Sequence, residues 1–176
     1  PPSDCLGPPA LDVQVDGVEC FFNDSSGDTV AKVEDATGVS DLNLVYKGDQ
    51  DGTTPSSTEE GGFAPYYSID YSVGGSDPAD PVNATISWDG TNGDPFIEGP
   101  ECFLAVKDGN ADPSWYLFDI GTWDGKDDIE LTGFWPDQGA ISHVSIYSNP
   151  APGPLLVMAI GLIGMITLRR RAMKIS

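Results

Sequence analysis

Glycine and proline, 21 and 15 of them in 176 residues, interrupt the chain so often that no long helix fits ahead of residue 150. Each proline removes a backbone donor and each glycine raises the entropy cost of ordering a helix. Between these breaks the sequence alternates with period two, which suits strands with one wet face. Leu11, Val13 and Val15 alternate with Asp12, Gln14 and Asp16, and Asp16-Gly17 reads as a hairpin turn into Val18-Glu19-Cys20-Phe21-Phe22. That hairpin would set Cys20 opposite Val13. Tyr67, Ile69, Tyr71 and Val73 alternate with Ser68, Asp70 and Ser72, and Ala84, Ile86 and Trp88 with Thr85 and Ser87. Further strands are predicted over Cys102–Val106, Trp115–Ile120, Ile129–Phe134 and Ile141–Tyr147. Trp115-Tyr116-Leu117-Phe118 is apolar on both faces and should be central in its sheet. Polar segments at 48–65, 74–81 and 89–100 read as surface loops, and no internal repeat is present. The expectation for residues 1–149 is an all-β domain, an antiparallel β-sandwich.

The tail obeys a different rule. Residues Leu155–Leu168 carry no charge, and extending the stretch back to Ala151 gives a helix of about 27 Å at a rise of about 1.5 Å per residue, enough for a thin bilayer. Leu155, Leu156, Ile160, Leu162, Ile163, Ile166 and Leu168 supply its apolar surface, while Pro150, Pro152 and Pro154 mark its N-terminal boundary. Gly161 and Gly164 lie three apart, so the segment is not a GxxxG dimerisation face. Arg169, Arg170, Arg171 and Lys174 follow directly. An apolar run abutting a basic cluster predicts a single C-terminal transmembrane helix over 150–176 with its end in the cytoplasm.

Charge sorts to the two sides of that segment. All 28 acidic residues precede Arg169, and four of the eight basic ones follow Leu168. This places the acidic domain outside the cytoplasm and argues against nucleic acid or anionic headgroups as its partners. Cationic partners, divalent ions or plain solubility remain. Pro1 is neither an initiator methionine nor the start of a secretory signal, which leads to the expectation of a processed form whose mature end lies upstream. Cys5, Cys20 and Cys102 suit an oxidising compartment with one disulfide, Cys5 to Cys20 as the candidate pair, and one leftover thiol. Cys5 could reach Cys20 only if the N-terminal segment folds back. The spacings fit no zinc site.

The tail resembles the PEP-CTERM sorting signal of bacterial exosortase substrates: a short proline motif, an apolar helix and a terminal arginine cluster. Pro150-Ala151-Pro152-Gly153-Pro154 stands where that family usually has Pro-Glu-Pro. KDGNADPSWYLFDIGTWDG and LTGFWPDQGAISHVSIY, within Lys107 to Tyr147, look like the last strands of a recurrent PEP-CTERM ectodomain. The resemblance implies an envelope or surface protein of a Gram-negative bacterium and an exosortase-like processing enzyme as a partner. It does not imply an enzymatic activity for the chain itself.

Candidate sites are few. His143 is the only histidine, and by alternation it shares a face with Ile141, Ser145 and Tyr147; it reads as a strand residue making one hydrogen bond, since a general base needs partners that the sequence does not place. Carboxylates are too abundant for any pair to stand out as a glycosidase-like site. No catalytic residue is assigned and no cofactor is required. Calcium is a candidate ligand, because Asp108, Asn110 and Asp112 have the alternate-residue spacing of a calcium loop and Asp49, Asp51 and Gly52 partly echo it. Pro113 stands where such a loop would want glycine, and Asp124, Asp127 and Asp128 form another acidic turn. For carbohydrate stacking, Trp123 and Trp135 sit at strand ends beside Gly, Asp and Pro where exposure is expected, whereas Trp88 and Trp115 belong to strand faces and the core. Asn23 and Asn83 open sequons.

Three functional expectations follow. The chain is a non-catalytic structural or interaction protein displayed at a bacterial membrane in the PEP-CTERM manner. Alternatively, its helix stays in the bilayer against membrane-protein partners, as an accessory subunit of a photosynthetic, respiratory or oxidase complex. A third form is a calcium- or carbohydrate-binding adhesin, for which Trp123, Trp135 or the Asp108 loop should be exposed and converge on one surface.

Overall fold

The computed structural model describes residues 10–12, 20–23, 27–50, 57–73, 80–108, 114–135 and 139–149. Within them the strands are β1 (Ala10–Asp12), β2 (Cys20–Asn23), β3 (Asn43–Gln50), β4 (Ser57–Glu60), β5 (Tyr67–Ser72), β6 (Asn83–Trp88), β7 (Glu101–Lys107), β8 (Trp115–Asp119), β9 (Ile129–Thr132) and β10 (His143–Asn149). One helix, α1 (Val30–Thr37), separates β2 from β3. The strands form two antiparallel sheets, ordered β1-β9-β6-β5 and β2-β8-β7-β10-β3-β4. The described residues are thus all-β in their sheet architecture, as the alternation predicts, with one short α-helix and a single 3-10 turn at Ala64–Tyr66 added.

The two sheets enclose the main core. Ile69, Ile86, Ile129 and Leu131 from the four-stranded sheet meet Leu104, Val106, Tyr116, Phe118, Val144 and Ile146 from the six-stranded one. Where β3 approaches β5, a Cβ at Gly48 would lie 2.4 Å from the Ile69 side chain, so only glycine admits that closeness. The Tyr71 hydroxyl closes the same corner by donating to the Gly48 carbonyl at 2.6 Å.

A second core lies on the opposite face of the six-stranded sheet. Val33 of α1 and Leu42 pack there against Phe103, Ala105, Trp115, Leu117 and Tyr147. This explains why β8 is apolar on both faces: Tyr116 and Phe118 face the sandwich, Trp115 and Leu117 face the helix layer. The strand has neighbours on both sides but stands one in from the edge; β7 and β10 hold the centre. Helix α1 is only two turns long, too short to persist without such packing. Gly38 ends it in the left-handed region at φ 74° and donates its N–H to the Glu34 carbonyl.

Several expectations change. The first two strands form no hairpin, because β1 pairs with β9 and β2 with β8, in different sheets. Cys20 consequently stands opposite Phe118, not Val13. Splitting the two strands lets each sheet extend its edge, which one hairpin cannot do. The polar segment 48–65 is not all loop: Ser57–Glu60 pairs with Lys47–Gln50 as an edge strand whose glutamates suit an edge. Strand β3 carries a bulge, the register passing from Ile146↔Tyr46 to Tyr147↔Leu44. The extra residue, Val45, turns its carbonyl out of the ladder to accept the Phe63 N–H at 3.0 Å. Gly61 lies over that carbonyl at φ +104°, with room for no side chain.

Among the described residues no helix is long and apolar enough to cross a membrane. The segment 150–176, with the expected anchor and basic cluster, lies outside them.

Candidate functional site

The most developed polar constellation lies between the approach to α1 and the outer face of β10. His143 Nε2 is 2.9 Å from Asp28 Oδ1, and the two side chains are 13% and 10% exposed. The Tyr147 hydroxyl donates to the Asp28 backbone carbonyl and lies 3.3 Å from its Oδ2. Ser145 is fully buried between them on the same strand face. On the other side of the ring, His143 Nδ1 is 3.6 Å from Asp49 Oδ1, and Lys47 Nζ is 2.7 Å from Asp49 Oδ2.

Two effects compete at Asp28. Burial raises its pKa, while the hydrogen bond and charge of His143, with Ser145 and a backbone amide, lower it; the second group prevails and holds it at about 2. Burial, with the neighbouring Asp28 charge, pushes the Tyr147 hydroxyl well above its ordinary value. These are the signs of a buried, hydrogen-bonded carboxylate used to dock an element. Both imidazole nitrogens face carboxylates, so the ring is held in place by partners on two other segments. Alternation correctly put His143, Ser145 and Tyr147 on one face. It misplaced Ile141, which precedes β10 and turns into the main core. Asp28 was not legible as the partner, since it lies 115 residues away in sequence.

Of the calcium candidates, Asp108 is buried, and its Oδ2 accepts the Ala140 N–H at 2.6 Å while its own N–H donates to the Ser114 carbonyl. It ties the β7–β8 connection to the approach of β10. Asn110 and Asp112 lie outside the described residues. Among the described residues no group of three or more His, Cys, Asp or Glu is placed to hold a metal ion. Asp124 closes a local turn instead, its Oδ1 accepting the N–H groups of Lys126 and Asp127, which lowers its pKa. Replacing Asp108 with asparagine should lower stability by about 1 kcal/mol, equally in calcium and in EDTA. Urea titrations in both buffers check this; a loss seen only with calcium would assign the loop to the ion.

The tryptophans exchange roles relative to expectation. Trp135 is 7% exposed and packs against Tyr116 and Phe134 with ring centroids 5.1 and 5.7 Å away, so its expected exposure is corrected. A positive φ of 45° folds the chain back and turns its ring into the core. Trp115 is fully buried, as predicted. Trp123 is half-buried against Tyr67 and donates its indole N–H to the Asp127 carbonyl at 2.8 Å. Trp88, assigned to the core by its strand, is only partly buried and carries Lys126 Nζ at 5.0 Å over its ring, with Phe96 beneath the same ammonium at 4.0 Å. Trp123 lies at the end of the sandwich where β6 finishes, and Trp135 at the end where β6 begins; the two do not converge.

Cys102 is a buried free thiol whose pKa burial pushes up to about 12, which leaves it unreactive. Cys5 lies outside the described residues, so the Cys5–Cys20 pairing does too. Comparison with protein-family models, curated proteins and solved structures finds no match to this chain.

Proposed function

We propose that this chain is a non-catalytic structural or interaction domain, displayed outside the cytoplasm and held at a bacterial membrane by its C-terminal segment, in the manner of PEP-CTERM proteins. The observation that carries this reading is the partition of charge about one uncharged run: every acidic residue lies before it and half of the basic residues lie after it. The use of the chain's one histidine inside the fold, between Asp28 and Asp49, also supports a non-catalytic role. The adhesin form draws less support, since Trp135 is buried and Trp123 stands at the other end of the domain.

The test is intact-mass analysis of the protein purified from its native membrane, with identification of what co-purifies. A mass ending near Pro150, found outside the membrane fraction, supports the sorted surface form. A full-length mass with stoichiometric membrane partners supports the accessory-subunit form. A full-length protein that is freely soluble in native extracts refutes membrane attachment altogether.

A further inference from the structure

The topology bears on how such a domain would stand on its membrane. β10 is an interior strand, paired on one side with β7 and on the other with β3 through almost its whole length. Its last residue, Asn149, is opposite Glu101, the first residue of β7, and Ser148 is opposite Asn43, the first of β3. β10 therefore finishes at the end of the sheet and not at a lateral edge. Ser148 and Asn149 fix that strand end: a Cβ at Gly99 would meet the Ser148 hydroxyl and the Asn149 carbonyl at 2.8 and 2.9 Å, and Asn149 Nδ2 donates to the Ser40 carbonyl at 3.4 Å. Pro150 follows immediately, and the five residues 150–154 reach at most about 18 Å before the apolar run starts.

From this strand-end geometry we infer that the sandwich stands end-on, with the Asn149 end facing the bilayer and the His143 end pointing away; the inference rests on the membrane-anchored reading above. Among the described residues, the connections at the Asn149 end are 38–42, 61–66, 89–100 and 120–128, as the antiparallel registers require. They expose Asp41, Asp89, Glu98, Asp124, Asp127 and Asp128, and Lys126 is the single basic residue in them. The bilayer-facing end is thus acidic and is repelled by anionic headgroups, so it stands off such a surface by a distance that grows as salt is lowered. Lys47, Lys107 and Lys32 lie elsewhere on the domain.

The protein carries its own reporters. Trp88 and Trp123 lie at the Asn149 end; Trp115, opposite Lys107, and Trp135, beyond the end of β9, lie at the other, about 20 Å away along seven residues of strand. The full chain is reconstituted into phosphatidylcholine vesicles containing a dansyl-headgroup lipid, with and without phosphatidylglycerol. Energy transfer from a Trp115→Phe, Trp135→Phe variant should exceed that from a Trp88→Phe, Trp123→Phe variant several-fold, and should weaken when phosphatidylglycerol is added at low salt. Equal transfer means a sandwich lying on its side, and reversed transfer means the opposite end faces the lipid; either overturns the inference. Because Trp115 is a core residue, an azidophenylalanine placed at exposed Asp41 or at exposed Asp80 provides a second reading: only the former should crosslink to lipid. If sodium carbonate strips the chain from the vesicles, the anchored reading has failed and the orientation falls with it. If the chain resists carbonate but both ends transfer alike, the orientation alone has failed.

Discussion

Replacing His143 with alanine is expected to destabilise the domain by about 3 kcal/mol, measured as the free energy of urea unfolding at neutral pH. The loss is large because the Asp28 carboxylate, 10% exposed, would keep its charge and lose the imidazole that hydrogen-bonds it. Asp28→Asn should be costly in the native chain but much less so once His143 is gone, so that the double-mutant cycle returns a coupling of about 1–3 kcal/mol. Additive losses would show that the two side chains act independently. The pair also fixes the acid limb of stability. Asp28 is held at about 2 against an ordinary 3.8, so its contribution is complete above pH 3.8 and disappears as pH falls toward 2. That amounts to about 2 kcal/mol in the native protein. Over the same interval the Asp28→Asn variant should show a correspondingly shallower decline.

Replacing Trp115 with alanine should cost about 4 kcal/mol, the other large effect. Its ring is fully buried in the second core, where it supports the layer containing Val33 and Leu42. The vacancy forms under a two-turn helix that has little stability of its own. Amide protons of residues 30–37 should therefore lose their exchange protection at denaturant concentrations where β7 and β10 remain protected. Uniform loss of protection in helix and sheet would mean instead that the helix layer unfolds together with the sandwich.

Most strands of the sandwich were legible because a one-sided sheet writes its burial into alternate residues. Tyr67-Ser68-Ile69-Asp70-Tyr71 and Ala84-Thr85-Ile86 appear in the structure with the apolar members inside and the polar members out. Strand β4 was hidden because Ser57-Thr58-Glu59-Glu60 lacks a strongly apolar face, and an edge needs none. The helix had weak but real signals: Val30 and Val33 three apart, then Gly38 just past the end. The residues around the His143–Asp28 hydrogen bond were visible only in part. His143, Ser145 and Tyr147 share a strand face by spacing alone, whereas Asp28 looked like one acid among many.

The sequence by itself determined local matters: the breaks imposed by glycine and proline, the alternation of the strands, and the separation of an acidic domain from an uncharged, base-terminated tail. These depend on neighbours a few residues apart, and chain geometry makes them periodic. Only the tertiary structure decided that β1 and β2 belong to different sheets, that a helix covers the outer face of β8, that Asp28 meets His143, and that Trp135 is inside while Trp88 is partly outside. Those outcomes come from contacts between segments far apart in the chain, where many pairings satisfy the same local pattern and close packing of the two cores selects one.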